Sequence, residues 1–243
     1  MYTLLKKEIS NFFSSIIGYI VIIVFLLANS LFMWIFPGEL NILESGYSTI
    51  DTLFIIAPWV FLFLVPAVTM RLFSEEKRTG TIETLFTKPI TDLEIVMAKY
   101  LAGLILVLFA LIPSLIYFAT VYYLGNPVGN IDTGGTWGSY IGLFFLSAIY
   151  VAIGIFASSL TQNQIVAFIF AMIISFFFYI GFESVSTLQV WGNFGNIIDY
   201  IGINRHYKSM SRGVIDTRDI IYFVSVITIF VLSTKTVLQS RKW

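Results

Sequence analysis

The chain has no cysteine among its 243 residues and only one histidine, His206. The absence of cysteine excludes disulfide bonds, thiolate catalysis and cysteine-based metal sites. A lone histidine without a nearby acidic cluster is a poor metal site. Charge is also scarce: 12% of the residues are charged, against about 25% in soluble domains. The net charge is zero, so nothing favours nucleic acid as a partner. The sequence therefore predicts no catalytic, cofactor-binding or metal-binding residue.

The chain is correspondingly rich in apolar residues. They make up 58% of the chain, with 24 phenylalanines and a mean hydropathy of +0.88. An uncharged stretch of about 20 residues crosses roughly 30 Å of hydrocarbon as a helix. We therefore predict an all-α integral membrane protein with a single transmembrane domain over residues 1–243. Its six spans are predicted at residues 16–36, 52–70, 100–123, 140–157, 165–182 and 220–238.

The basic residues indicate how these spans are oriented, because cytoplasmic loops carry an excess of Lys and Arg. An N-terminus in the cytoplasm places ten of the 14 basic residues inside, and the two short outer loops then carry none. The long loop at residues 183–219 is the exception, with four basic residues outside, but four acidic residues balance them. We therefore predict that both termini are cytoplasmic.

A charged segment at residues 71–99 interrupts the apolar pattern, since ten of its residues are charged. The bilayer cannot hold such a segment, so we place it in the cytoplasm. Gly80 and Pro89 break helices, and the residues between them predict a short helix over Thr81–Thr87. The capping box Thr91–Glu94 begins a second helix, which we expect to continue into the third span.

The short helix has an apolar face formed by Ile82, Leu85 and Phe86. One interpretation is an ordinary cytoplasmic loop with two incidental helices. The other is that these three side chains form an apolar knob that fits a groove on a cytoplasmic partner. Patterning alone leaves both interpretations open.

The amino-acid sequence of this segment favours the second interpretation, in which a cytoplasmic partner binds. It closely resembles the segment between spans two and three in permeases of the type-2 ABC transporter class, through Phe73, Glu75-Glu76, Arg78–Glu83, Leu85, Pro89-Ile90, Glu94 and Lys99. The resemblance implies a coupling helix that docks on an ATP-binding subunit. The implied docking residues are Glu76, Arg78, Gly80, Thr81, Ile82, Glu83, Leu85, Phe86 and Pro89.

The resemblance extends over the whole chain. Residues 1–15 resemble the amphipathic interfacial helix that precedes span one in this class. The loop at residues 183–219 resembles the outer re-entrant helical segment, and it ends in a similar pattern from His206 to Phe223. Within the class, the sequence looks like the gliding-motility permeases of the GldF type.

The loop at residues 183–219 is also too apolar for a solvated tether. We expect it to be partly buried, with short helices broken at Gly192, Gly195 and Gly202. The apolar side chains that suggest burial are Leu188, Val190, Trp191, Phe194, Ile197, Ile198, Tyr200 and Ile201.

The resemblance implies a permease subunit of an exporter in the bacterial inner membrane, which converts ATP-driven motion into substrate translocation. The chain has no G-x-x-x-x-G-K-[ST] motif, so ATP and Mg²⁺ are expected on a partner ATPase. The resemblance also implies two further partners. One is a second permease copy or a related permease subunit, and the other is membrane lipid. One alternative is a non-transporting ABC complex that moves or anchors an envelope component. A stand-alone channel or secondary transporter is disfavoured, because no predicted span carries a charged residue except Lys235, which lies near the end of the sixth.

The topology is testable because the chain has no native cysteine to interfere with labelling. We expect cysteines introduced at Thr79 and Lys242 to resist a membrane-impermeant thiol reagent in intact cells. A cysteine at Ser209 should react, since residues 183–219 are predicted outside. Labelling at Thr79 from outside would reverse the predicted orientation.

Overall fold

The computed structural model describes residues 1–188 and 194–240, and it contains no strand within those ranges. The chain there is helical and connected by short turns. The helices are α1 (Tyr2–Ser14), α2 (Ile16–Ser30), α3 (Ile42–Ser45), α4 (Asp51–Thr69), α5 (Arg71–Thr79), α6 (Thr81–Phe86), α7 (Asp92–Leu124), α8 (Thr133–Leu160), α9 (Gln164–Phe176), α10 (Phe182–Ser186), α11 (Gly195–Ile201), α12 (Ile203–Met210) and α13 (Thr217–Gln239). A π-helical turn follows α2 at Leu31–Ile35 and another follows α9 at Phe177–Gly181.

The predicted all-α membrane fold is confirmed, because six helical stretches in the described chain are long and apolar enough to cross a bilayer. They contain α2, α4, α7, α8, α9 and α13. Their bounds differ from the prediction mainly where helices continue beyond the apolar core. The third span begins at Asp92, and the fourth covers Thr133–Leu160. The polar residues after α8 separate it from α9, whose first turn is capped by the Asn163 side chain.

Helix α8 forms the centre of the bundle. In its most apolar window 78% of the residues are buried, whereas the corresponding share is 22–33% for α2, α7, α9 and α13. It packs against α4, α7, α9, α12 and α13. The surrounding helices therefore turn their remaining apolar side chains outwards, as expected for surfaces in contact with lipid.

The bundle has two ends that differ in character. At one end, which we name the terminal face, α1, α5, α6 and the first turns of α7 meet the last turn of α8. At the other end, which we name the loop face, α12 lies against the first turns of α4 and α8. The charged segment at residues 71–99 and the long loop at residues 183–219 thus occupy opposite ends of the molecule.

The loop at residues 183–219 is folded, and its break at Gly202 between α11 and α12 is confirmed. Its buried part is α12, where Ile203, Tyr207 and Met210 are at most 4% exposed. Gly138 and Gly142 of α8 receive this helix, since added Cβ atoms would lie 2.4 Å from the Met210 carbonyl oxygen and 3.2 Å from the Tyr207 ring. The two glycines therefore pack against a short helix of the loop face.

Our expectation about which side chains bury this loop was wrong. Five of the apolar residues that we singled out are exposed, namely Leu188, Phe194, Ile197, Tyr200 and Ile201. Val190, Trp191 and Gly192 lie outside the described residues. Of the eight, Ile197, Ile198, Tyr200 and Ile201 belong to α11, whereas the fully buried side chains of the loop belong to α12.

Close contact between α4 and α8 depends on Gly154. A Cβ atom there would lie 1.9 Å from Thr69 Oγ1 and 2.8 Å from Thr69 Cβ. We therefore expect Gly154→Ala to reduce the free energy of unfolding by about 1–3 kcal/mol, the usual cost of overpacking. Thermal unfolding in detergent measures the effect. Gly134→Ala is the matched control, because the nearest atom to its Cβ is 3.5 Å away. Equal melting temperatures for the two variants would contradict this packing.

Candidate functional site

The charged segment on the terminal face folds into two helices at a sharp corner. Helix α5 ends at Gly80, whose φ angle of +73° lies in the left-handed region. Glycine adopts this conformation without the steric penalty that a Cβ atom brings. Helix α6 starts at the next residue, Thr81. The predicted break at Gly80 and the short helix after it are both confirmed.

Helix α6 turns its apolar side towards the protein. Ile82 is 9% exposed and Leu85 is 6% exposed, and Phe86 is partly buried against the same core. The prediction of an exposed apolar knob is therefore wrong. An apolar face at the end of the bundle gains more from covering its own neighbours than from facing water. The outer surface of this corner is polar and consists of Arg78, Thr81, Glu83, Thr84, Thr87, Lys88 and Pro89.

The junction between α6 and α7 is a short, capped turn. The Thr91 N–H donates to Glu94 Oε2 over 2.9 Å, and the Glu94 N–H donates to Thr91 Oγ1 over 3.3 Å. This is the predicted capping box, and it begins a helix that runs from Asp92 to Leu124 without interruption. The polar surface of α6 is therefore joined to a membrane span through five residues, 87–91.

Ser158 fixes the junction between α4 and α5. This fully buried hydroxyl accepts hydrogen bonds from the N–H groups of Phe73 and Ser74, at 3.0 and 3.1 Å. It donates in turn to the Met70 carbonyl oxygen at 2.7 Å. Lys77 adds a bond from its ammonium group to the Ser159 carbonyl oxygen. The last turn of α8 thus holds the backbone of the charged segment where its helix changes direction.

A buried ion cluster ties the same segment to α1 and α7. The Lys99 ammonium group is 1% exposed and lies 3.1 Å from Glu8 Oε1 and 3.0 Å from Glu76 Oε2. Its Nζ atom also sits 5.1 Å from the centre of the Phe73 ring. Lys7 is the fourth charge, 3.7 Å from Glu76 and 3.9 Å from Glu8. Two carboxylates therefore face two ammonium groups, and the cluster is neutral.

The two contacts of the Lys99 ammonium group with carboxylates differ in geometry. The contact with Glu8 has hydrogen-bond geometry. The contact with Glu76 lacks it, since Oε2 of that residue accepts no hydrogen bond despite its burial. Charge attraction alone holds Glu76 in place. This side chain belongs to the α5 face that looks inwards, where it faces Lys99 of α7 and Lys7 of α1.

The structure therefore divides the nine residues that the sequence analysis assigned to docking. Arg78, Gly80, Thr81, Glu83 and Pro89 are exposed together on the outer surface of the corner. Glu76 and the apolar residues Ile82, Leu85 and Phe86 point towards the bundle. They hold the corner and do not form its outer surface.

Sequence reasoning missed Glu8, Lys99 and Ser158. A signal for Glu8 was present, because it lies between Leu4 and Phe12 on the buried stripe of α1. An acidic residue on an apolar stripe requires a buried cation. Lys99 carries part of the family resemblance, but nothing in its local sequence predicts burial between two acids. Ser158 has no local signal for its contact with α5.

The segment described above lies within a recognisable family. A family model described as ABC-2 family transporter protein matches residues 40–201, two thirds of the chain. The chain belongs to this family. The matched range contains α4 to α9, and so includes the whole charged segment. No curated protein matches the sequence.

As an ABC-2 family member with six apolar spans, the chain is a multi-pass membrane permease subunit. Permease domains of this family are generally non-catalytic and work with a separate ATP-binding subunit.

The ion cluster of this ABC-2 permease predicts a distinctive mutational pattern. Lys99→Met removes the buried cation of Glu8 and Glu76 and leaves them only the half-exposed Lys7. Breaking a buried ion pair in this way typically costs about 3–5 kcal/mol. We expect the triple variant Glu8→Gln, Glu76→Gln, Lys99→Met to recover most of this loss, because no buried charge remains. Thermal unfolding of the purified variants measures both effects.

Arg71→Met is the matched control. Arg71 forms an ion pair with Glu75 at 3.0 Å, but both side chains are about one third exposed. Loss of such a surface pair costs about 0–1 kcal/mol. Equal destabilisation by Lys99→Met and Arg71→Met would show that the cluster contributes no more than a surface pair.

Proposed function

We propose that this permease belongs to an ATP-driven exporter and that an ATP-binding subunit docks on its terminal face. The observation that carries the proposal is the polar outer surface of the corner at residues 78–89. Three separate sets of contacts, which we call anchors, fix this corner to the helices beneath it. These anchors are the Ser158 hydroxyl, the Lys99 cluster and the buried side of α6. A surface that is polar, exposed and firmly supported is suited to bind a partner and take up force from it.

Charge distribution supports a cytoplasmic position for the terminal face. Lys6, Lys7 and Lys235 flank spans on this side, as do all five basic residues of the segment at 71–99. The turns at residues 36–50 and 125–132 on the loop face contain no basic residue. By the positive-inside rule the terminal face is cytoplasmic, and so are both termini. A bacterial inner membrane is the location that we propose for this arrangement.

Force applied to α6 has short routes into the membrane. One route runs through the capped turn into α7, and a second runs from α5 through Ser158 into α8. The third route passes from Glu76 through Lys99 to Glu8 on α1. Displacement of the corner would therefore move two spans and the amphipathic N-terminal helix together, which is what a motor outside the membrane requires.

The translocation route is proposed to lie between two permease subunits. Helix α8 fills the middle of this bundle with buried side chains. A second copy or a related permease would supply the other wall of the route, over two ATPase subunits that bind ATP and Mg²⁺. The sequence resemblance to gliding-motility permeases supports a further proposal, that the exporter serves bacterial gliding.

The docking surface predicts that a bulky charge on the outer side of α6 blocks the partner. Thr84 is exposed, and its hydroxyl bonds only to the local Thr81 carbonyl oxygen among the contacts described. We expect Thr84→Arg to reduce capture of the ATP-binding subunit at least about tenfold, the effect of roughly 1.4 kcal/mol. Membrane insertion should be unchanged, since no span is altered. A pull-down at equal permease levels measures the loss.

Thr3→Arg is the matched control, because Thr3 is an exposed threonine of α1, outside the corner and outside every span. It should capture the ATPase like the unmodified chain. Glu83→Lys should have a smaller effect than Thr84→Arg, since a reversed rim charge alters partner choice more than affinity. Full capture by the Thr84→Arg permease would refute docking at this surface.

A further inference from the structure

A cavity of about 370 Å³ opens on the loop face, at the other end of the molecule from the corner. It lies between the first turns of α4, the π-helical turn at Phe177–Gly181 and helix α12. Its volume falls in the range of about 300–1,000 Å³ that is typical of small-molecule sites. π-Helical turns inside helices also occur frequently at functional sites. The cavity is therefore large enough, and suitably built, to receive a ligand.

Aromatic side chains form the deep walls of this cavity. The Trp59 and Tyr179 rings pack edge to face, with their centres 5.7 Å apart. The Tyr207 hydroxyl donates to the Phe54 carbonyl oxygen over 2.8 Å, which fixes α12 against α4. Burial raises the pKa of the Tyr207 hydroxyl well above its usual value, so this wall is neutral at physiological pH. The walls are thus apolar and already in place.

Three charged residues line the cavity: Asp51, Glu183 and Lys208. Lys208 Nζ lies 2.9 Å from Glu183 Oε1, so these two charges neutralise each other. Asn204 also donates to the Glu183 carboxylate. Asp51 is different, because its carboxylate has no hydrogen bond or ion pair with any residue in the described parts of the chain. The lining therefore carries one negative charge that no basic side chain pairs with, on an exposed residue in the first turn of α4.

We propose that this cavity binds an amphiphile with an apolar tail and an ammonium head group. The tail would lie against Trp59 and Tyr179, and the head group would pair with Asp51. An anionic head group would meet the unpaired Asp51 carboxylate and find Lys208 already occupied.

The position of the cavity suits a ligand from the membrane. Asp51 is the first residue of its span, and Trp59 lies about two turns deeper. An amphiphile in the adjacent leaflet would therefore bring its head group level with Asp51 and its tail level with the aromatic walls. This proposal goes beyond the exporter function, and it holds whether or not an ATPase docks at the opposite end.

The test uses the full chain in nanodiscs without any ATPase, so its failure is separate from failure of the docking proposal. The probes are phosphatidylethanolamine and phosphatidylglycerol with the same photoactivatable acyl chain. We expect the ethanolamine lipid to label peptides containing Trp59 or Tyr179 several times more strongly. Asp51→Asn should reduce this preference about tenfold, because the ammonium group loses its charged partner. Glu39→Gln is the matched control, because Glu39 is an exposed acid on the same face that does not line the cavity.

A second arm separates a lipid ligand from a free amine. Hexylamine should compete with the labelling, and hexanol of the same length should not. Competition by hexylamine without any preference between the two lipids would identify free amphiphilic amines as the ligand. Equal labelling by both lipids without competition by hexylamine would overturn the proposal. So would an unchanged preference in Asp51→Asn, or an equal loss in Glu39→Gln.

Discussion

The buried ammonium group of Lys99 is the constraint on which the terminal face depends. A lone charge in such a place would cost several kcal/mol, so the chain must bring carboxylates to it. Glu8 comes from α1 and Glu76 comes from α5. Both helices are thereby fixed against the start of α7. The amphipathic N-terminal helix lies where it does because its single buried acid has one cation to reach, and the charged segment is held by the same atom.

Local signals predicted most of the fold. The six spans follow from uncharged runs, the corner follows from Gly80, and the start of α7 follows from the Thr91–Glu94 capping box. Each signal concerns residues that are close in sequence. Local signals do not predict the direction in which α6 turns its apolar face. Periodicity shows which residues share a face, but it does not show what covers that face. The contact between Ser158 and Phe73, 85 residues apart, has no local signature at all.

The two ends of the molecule share the same pair of helices. Helices α4 and α8 meet the corner through Met70 and Ser158, and they meet α12 through Phe54 and Gly138. Between these points Gly154 lets the two backbones approach so closely that Thr69 fills the space of a side chain. The proposed docking surface at one end and the aromatic cavity at the other are therefore connected by two directly packed helices, without a flexible linker in either path.

The inward turn of α6 has a consequence for how a partner binds. An exposed knob of three apolar side chains would have left each of them about 1.5–3 kcal/mol less favourable than when buried, so the permease alone would have been unstable at this corner or prone to aggregate. Burial of Ile82 and Leu85 removes that problem before any partner arrives. The surface that we propose for docking is consequently polar, and polar contacts favour choice of partner and rate of association over affinity. Such a surface suits a motor subunit that must change its grip during each cycle of hydrolysis, since the corner keeps its shape whether the contact is made or released.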